Sequence, residues 1–157
     1  MKTTQKKPPP PSSLQTHVGF WLRFVSNHVS QSFARKLLAS GVTVAEWVIL
    51  REMFDTPATS PSTLAESTGL TRGAISKLIE RLVQKHLVTR EEGPTDRRTQ
   101  TIALSPAGRR IVPQLAAIAD QNDAHFFASL SSKQREELVA TLKKLVHAND
   151  LNKIPTE

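Results

Sequence analysis

The chain has 157 residues, of which 38% are hydrophobic, and its formal net charge is +7. That length suffices for one domain with a full core, or for one subunit of an intertwined dimer. The absence of cysteine excludes a disulfide framework and a thiol-based redox sensor. With no run of about 18 apolar residues and no apolar core of a signal peptide near the N-terminus, a cytoplasmic location is expected.

Residues 1–13 form a tail that is rich in lysine and proline. The four consecutive prolines Pro8 to Pro11 favour extended polyproline II and are incompatible with a helix. The composition therefore predicts a disordered, solvated extension. A non-specific electrostatic contact with DNA is the alternative role.

Two helices are predicted after the tail. The first runs from residue 14 to about residue 40 and ends at Gly41, a residue type that often terminates helices. The second runs from about Val44 to Phe54, and Thr43 with Glu46 three residues later has the pattern of a capping box. The apolar stripe of the first helix repeats every four residues and consists of Trp21, Val25, Val29, Phe33 and Leu37.

The next segment has the spacing of a helix-turn-helix. Ser60 followed by Pro61 predicts the start of its first helix. Small Ala65 allows two helices to approach, and Gly69 suits the left-handed backbone of the turn. Thr71 is the predicted N-cap of a recognition helix that runs to about residue 86. The small core shared by the two helices is predicted to consist of Leu64, Leu70, Ile75 and Leu78.

The outward face of the recognition helix carries short donors and cations, which suit phosphates and base edges. An ordinary solvated face of an amphipathic helix is the alternative interpretation. We expect Arg81 to hold a phosphate or to pair with Glu80. The predicted DNA contacts on this helix are Thr71, Arg72, Gly73, Ala74, Ser76, Lys77 and Arg81.

A β-hairpin is predicted next. Its first strand is Leu87 to Glu91. In the second, Gln100, Ile102 and Leu104 alternate with Thr99, Thr101 and Ala103, the period of two expected of a half-buried strand. Its tip carries Asp96, Arg97 and Arg98. Adjacent arginines on a protruding hairpin suit a DNA minor groove, and Asp96 is expected to brace an arginine. Arg90 is expected to hold a phosphate or to pair with Glu91.

The distribution of charge agrees with this interface. Residues 71–101 contain seven cations and four acids, whereas residues 14–66 contain four of each. Outside the tail, the positive excess therefore lies mainly on the recognition helix and the hairpin. Such a placement is typical of a surface that binds nucleic acid.

Two further helices are predicted after the hairpin. Ser105 and Pro106 repeat the pattern of a cap followed by proline, and the helix that follows reaches Phe126 and Phe127. Pro113 lies inside it and should kink or break it. Ser131 is predicted to cap a last helix, and its apolar stripe consists of Leu138, Leu142 and Leu145.

The apolar faces of the first and last helices have to be buried. A helix-turn-helix followed by a β-hairpin needs no such flanking helices. Packing against a second copy would bury them and would place two recognition helices about one DNA turn apart. A homodimer is therefore predicted, with a self-contained monomer as the alternative.

Four stretches between Gly69 and Gly108 carry a common pattern, namely residues 69–78, Leu87-Val88, Pro94-Thr95-Asp96-Arg97-Arg98 and Leu104-Ser105-Pro106-Ala107-Gly108. In these stretches the chain resembles the MarR family of winged helix-turn-helix regulators. It implies a mainly α fold in which a winged helix-turn-helix, with a small β-hairpin as the wing, lies between dimerisation helices. The single domain at 14–150 then divides into dimerisation helices at 14–55 and 105–150 and a winged helix-turn-helix at 56–104.

The resemblance also implies an effector pocket between the dimer base and the DNA-binding lobe, where aromatic or phenolic anions bind. No other cofactor is expected. Packing in the protein core is the alternative role for each candidate. The candidate ligand-binding residues are Trp21, Phe24, His28, Trp47 and Arg51.

The favoured function is a sequence-specific, ligand-responsive repressor that acts as a homodimer on a pseudo-palindromic operator. The alternative is a winged-helix interaction or DNA-architectural module without effector control. The five histidines contain no short pair with metal-ligand spacing, so no metal site is predicted. An enzyme is not expected, because the sequence has neither a Gly-rich phosphate loop nor a nucleophile elbow.

Overall fold

The computed structural model describes residues 10–92 and 100–151, with side chains for 10–91 and 101–151. A two-stranded hairpin interrupts a series of helices. In chain order the elements are α1 (Val18–Leu37), α2 (Val44–Phe54), α3 (Pro61–Thr68), α4 (Arg72–Gln84), β1 (Val88–Glu92), β2 (Gln100–Leu104), α5 (Pro106–Phe126) and α6 (Ser132–Ala148).

Polar caps determine where most of these helices begin. The Thr43 side chain accepts a hydrogen bond from the backbone N–H of Glu46, and the Glu46 carboxylate accepts one from the Thr43 N–H. Both halves of the predicted capping box are thus confirmed. Side-chain oxygens likewise accept from the third residue of the following helix at the predicted N-caps Ser60, Thr71, Ser105 and Ser131.

The first helix is shorter than predicted. Leu14–Thr16 forms a separate 3-10 turn, His17 is extended, and α1 begins only at Val18. At its other end α1 passes into a second 3-10 turn, Leu38–Ser40, which ends at Gly41 with φ of 64°. Glycine adopts this left-handed conformation readily, so the predicted stop is confirmed.

Pro113 does not break α5. The helix is continuous from Pro106 to Phe126, so the predicted division into two pieces is wrong. Proline lacks one backbone donor and crowds the preceding turn, but neighbouring Val112 and Leu115 are 1% and 0% exposed. Burial of the helix face beside Pro113 stabilises the helix on both sides of the proline.

The hairpin is antiparallel, and Val88 pairs with Leu104 while Arg90 pairs with Ile102. Its first strand begins one residue later than predicted. Thr59 forms an additional isolated bridge to Ile102, and the two backbone nitrogen-to-oxygen distances are both 2.8 Å. The segment before α3 is therefore hydrogen-bonded to the base of the wing.

One hydrophobic core joins the flanking helices to the helix-turn-helix. It includes Leu37 of α1, Leu50 of α2, Ile75 of α4, Ile102 of β2 and Leu115 of α5, each fully buried. Through this core the helix-turn-helix packs on α2, and the second strand of the hairpin packs on α2 and α5. No helix of the described residues is long and apolar enough to span a membrane.

Two apolar stripes remain uncovered in the single chain. α6 contains no buried residue, and five of its large apolar side chains are 37–49% exposed. The first half of α1 has five more that are 39–71% exposed. The α6 stripe consists of Leu138, Val139, Leu142, Leu145 and Val146, and the α1 stripe of Val18, Trp21, Leu22, Phe24 and Val25.

Candidate nucleic-acid interface

The helix-turn-helix is formed by α3, a tight turn and α4. Ala65 and Leu64 are both 1% exposed, as expected for the predicted contact between the helices. The turn is made by Gly69, whose φ is 70° and whose N–H donates to the carbonyl of Ala65. Thr71 then caps α4 by accepting a hydrogen bond from the Ala74 N–H at 3.2 Å.

The two faces of α4 have opposite character. Its apolar side chains, Ile75, Leu78, Ile79 and Leu82, are 0–7% exposed and pack in the core. This burial fixes which side of the helix faces solvent. The exposed side is strongly polar and consists of Arg72, Gly73, Ser76, Lys77, Glu80 and Arg81.

The exposed side of α4 carries cations that form no ion pair among the described residues, and its backbone is accessible at Gly73. Among the described residues, Arg72, Lys77 and Arg81 take part in no ion pair, so the alternative pairing of Arg81 with Glu80 is not formed. Nothing lies within 4 Å of the position that a Cβ of Gly73 would occupy. A phosphate can therefore approach the backbone at the start of this helix.

Two of the predicted contact residues, Ser76 and Ala74, are less available to DNA than their neighbours on α4. The Ser76 hydroxyl donates to the Arg72 carbonyl at 3.0 Å, which leaves its oxygen able to accept a hydrogen bond. Ala74 is half-buried, so it presents less surface than its neighbours.

The wing is described only near its base. Arg90 and Glu91 of β1 are exposed, and within the described part of the chain they form no ion pair with each other. The predicted minor-groove residues Arg97 and Arg98, and the predicted brace Asp96, lie outside the described residues.

Hydrogen bonds of Ser105 hold the start of α5 against the junction between α4 and the wing. The Ser105 hydroxyl donates to the His86 carbonyl at 2.7 Å and accepts from the Gly108 N–H at 3.0 Å. The Ser105 N–H donates to the Leu87 carbonyl at 3.0 Å. The sequence predicts Ser105 only as a helix cap, whereas the structure shows that it also joins α5 to the junction between α4 and β1.

The structure also shows an ion pair that local sequence patterns do not predict. The ammonium of Lys85, the residue that follows α4, lies 2.9 Å and 2.7 Å from the two carboxylate oxygens of Glu46. Burial of this carboxylate raises its pKa. Hydrogen bonds from Lys85 and Thr43, together with the charge of Lys85, lower the pKa by a larger amount, so the pKa of Glu46 lies below its ordinary value.

The candidate effector residues fall into separate groups. On α1, Phe24 lies between Trp21 and His28, with ring centroids 6.2 Å and 4.7 Å away, and Trp21 and Phe24 are each 49% exposed. On α2, half-buried Trp47 packs edge-on against Phe33. No ring contact of the described residues joins the two groups.

Arg51 completes the candidate set. Its guanidinium donates to the Asp55 carboxylate at 2.7 Å and lies 6.0 Å from the ring centroid of Phe54. It is exposed, and its partner Asp55 is the C-cap residue of the same helix. Among the described residues no three histidine, aspartate or glutamate side chains are grouped as a metal site would require.

Comparison with known proteins relates the whole arrangement to one family. The model of the MarR family matches residues 40–99, which contain the helix-turn-helix and the first strand of the hairpin. A protein of Thauera aromatica, described as a transcriptional regulatory protein for the hcr operon, is 31% identical over 134 residues. The alignment covers 85% of this chain and 81% of that protein.

Solved structures share the fold over nearly their full length. Bordetella bronchiseptica BpsR, solved in work on regulation of its DNA binding by 6-hydroxynicotinic acid, is 27% identical with a TM-score of 0.80. The match covers 87% of this chain and 97% of BpsR. A mutant of Escherichia coli MarR complexed with operator DNA is similar in fold, with 22% identity, a TM-score of 0.76 and coverage of 82% and 93%. The extended match to the Thauera protein, together with the family model and the shared winged helix-turn-helix, shows that this chain belongs to the MarR family of transcriptional regulators.

Proposed function

We propose that the chain is a ligand-responsive repressor that binds a pseudo-palindromic operator as a homodimer in the cytoplasm. The observation that carries this proposal is the orientation of α4. Its apolar side is buried, while Arg72, Lys77 and Arg81 project from the opposite side without an ion-pair partner among the described residues. A helix held in this way can enter a major groove with its polar side against bases and phosphates.

In this mechanism, contacts to phosphates set the register of the protein on the duplex. Ser76 and Lys77 read base edges in the major groove. The start of α4 approaches the phosphate backbone of the DNA with Thr71, Arg72, Gly73 and Ala74. Arg81 and Arg90 hold phosphates. At the wing tip, Arg97 or Arg98 enters the minor groove, and Asp96 orients an arginine.

The uncovered stripes of α1 and α6 support the homodimer. Each stripe consists of large apolar side chains that are more than a third exposed in the single chain. Because the hydrophobic effect favours their removal from water, we expect both stripes to be buried against a second copy of the chain. Two-fold symmetry would then present two α4 helices to two half-sites of one duplex.

An effector of the aromatic or phenolic acid class fits the candidate residues Trp21, Phe24, His28, Trp47 and Arg51. Aromatic rings can stack on a planar ligand, and Arg51 can exchange its exposed partner Asp55 for a ligand carboxylate. Regulation of the DNA binding of BpsR, which shares the fold of this chain, by 6-hydroxynicotinic acid supports this class. An effector that favours another spacing of the two α4 helices would weaken operator binding.

A DNA-architectural or interaction module without effector control is the second candidate. The separation of the α1 aromatic group from Trp47 and Arg51 in the single chain favours it, because those side chains then need not form one pocket.

The test is selection of bound sequences from a pool of random duplexes by the purified chain. We expect enrichment of a two-fold symmetric sequence whose half-sites are about one helical turn apart. Recovery of unenriched duplexes would contradict sequence-specific recognition. Repeating the binding with 6-hydroxynicotinic acid and simple phenolic acids separates the two candidates, because only the ligand-responsive repressor releases its duplex.

A further inference from the structure

The Lys85 ammonium joins three segments of the fold. It donates to the Gly41 carbonyl at 2.7 Å as well as to both carboxylate oxygens of Glu46. Gly41 follows the 3-10 turn at the end of α1, Glu46 lies in the first turn of α2, and Lys85 is the C-cap of α4. One side chain thus fixes the end of the recognition helix to the corner between α1 and α2.

This ion pair is shielded from solvent on its acidic side. The Glu46 side chain is 1% exposed and that of Lys85 is 36% exposed. The carboxylate also accepts the N–H of Thr43, so both its orientation and its hydrogen bonds are fixed. Loss of one partner from such a buried pair is costly, since the remaining charge stays desolvated.

The ion pair and the proposed DNA-reading residues lie at opposite ends of α4. The helix has 13 residues and is therefore about 20 Å long at ~1.5 Å per residue. A rotation of ~5° about its C-terminal end would move its N-terminus by about 2 Å over that length. Hydrogen bonds to base edges do not tolerate such a displacement.

We infer that Lys85 and Glu46 are positioning residues for DNA recognition, because they set the direction of α4 relative to the α1–α2 corner. This inference rests on the proposed function. The corner continues into α1, whose first half carries one of the uncovered apolar stripes. A shift of α1 would therefore reach α4 through the hydrogen bond from Lys85 to the Gly41 carbonyl and the ion pair of Lys85 with Glu46, while the DNA-facing side chains themselves remain unchanged.

The test compares variants of the full chain on two duplexes. One duplex is the sequence that the wild-type chain enriches from the random pool, and the other is a scrambled sequence of the same composition. The specificity ratio is the affinity for the first divided by the affinity for the second. The variants are Lys85→Met, Glu46→Gln and the conservative Lys85→Arg, with Lys36→Met as a control that removes an exposed lysine of α1.

An effect of charge alone and a positioning role of the ion pair predict different changes in DNA affinity for these variants. Lys85→Met removes a cation and Glu46→Gln removes an anion, so electrostatics alone would shift affinity for both duplexes in opposite directions in the two variants. If the ion pair positions α4, both variants lose specificity. We expect the ratio to fall about tenfold in each, equivalent to ~1.4 kcal/mol, with wild-type ratios in Lys85→Arg and Lys36→Met.

Thermal unfolding of each variant provides the second measurement. A purely structural ion pair would lower the melting temperature while the folded fraction kept the wild-type specificity ratio, and that result would overturn the inference. If Lys85→Met does not fold, Lys85→Gln, which retains an amide donor, takes its place. A wild-type chain that enriches no sequence would refute the proposed function and the inference with it, whereas enrichment with unchanged ratios would refute the inference alone.

Discussion

Gly108 of α5 lies against the carbonyl oxygen of Leu87, so closely that a Cβ at this position would overlap that oxygen. The same carbonyl accepts the Ser105 N–H, and it belongs to the junction between α4 and β1. The absence of a side chain at Gly108 therefore allows α5 to pack on the point where the recognition helix passes into the wing.

Gly108→Ala should destabilise the chain by about 3 kcal/mol, because the added methyl group cannot be accommodated without backbone movement. Denaturant unfolding of the two proteins measures the difference. Gly73→Ala is the matched control, since nothing lies within 4 Å of its Cβ position and alanine is favoured in helices by about 1 kcal/mol. Equal stability of the two variants would show that the packing at Gly108 is not tight.

His86 should be replaceable by glycine with a gain in stability. Its φ is 57°, and its N–H donates to Val83 while that of Leu87 donates to Leu82, the pattern of a Schellman motif. Glycine adopts this conformation without the cost of a Cβ, so His86→Gly should stabilise the fold by about 1 kcal/mol.

The same replacement at His147 provides the control for His86→Gly. His147 is in the last turn of α6, where glycine should cost up to about 1 kcal/mol. Chemical denaturation should thus show opposite signs for the two variants, and a loss of stability in His86→Gly would contradict the assigned role.

The pH dependence of stability should reflect Glu46. Its pKa is lowered in the folded chain, so the unfolded chain binds the proton first as the solution is acidified. The stabilisation by Glu46 is complete above the ordinary value of 4.5 and is lost as the pH falls through the lower, folded-state pKa. The difference in unfolding free energy between wild type and Glu46→Gln should therefore shrink on acidification.

Urea unfolding at neutral pH and at pH values below 4.5 measures this change. Glu52→Gln, on the exposed side of the same helix, serves as the control for removal of a carboxylate. If wild type and Glu46→Gln differ by the same amount at both pH values, Glu46 does not have the predicted role.

The α6 stripe should be required for self-association. Leu142→Glu places a charge in the middle of that stripe, and burying an unpaired carboxylate in an apolar interface is strongly unfavourable. Analytical ultracentrifugation should show a dimer for the wild type and a monomer for this variant. Ala140→Glu makes a similar change on the opposite side of α6 and should leave the dimer intact; a dimeric Leu142→Glu would argue against this interface.

Local features of the fold could be predicted from the sequence. The caps at Thr43 and Ser131 and the turn at Gly69 depend on residues within a few positions of each other, so their patterns are visible in the chain. The contact between Lys85 and Glu46 spans 39 residues, and no local pattern pairs that lysine with that glutamate. The bridge between Thr59 and Ile102 likewise joins distant residues and has no local sequence pattern.

The boundaries of α1 and the continuity of α5 illustrate a second limit. The apolar repeat predicts a helix from residue 14, but the extended backbone of His17 interrupts it. Pro113 predicts a kink or a break, and the break does not occur, because the packing of α5 holds the helix together on both sides of the proline. Among the candidate site residues, the polar side of α4 follows from periodicity, whereas the separation of Trp47 from the α1 aromatic group depends on tertiary packing.

The most direct test of the account is the affinity of Lys77→Ala for the duplex that the wild-type chain enriches. Lys77 is exposed on α4 and has no ion-pair partner among the described residues, so its removal should leave the fold intact. We expect a loss of about tenfold or more, whereas Lys133→Ala on α6 should bind as the wild type does. Wild-type affinity in a folded Lys77→Ala would contradict the claim that the exposed side of α4 reads DNA.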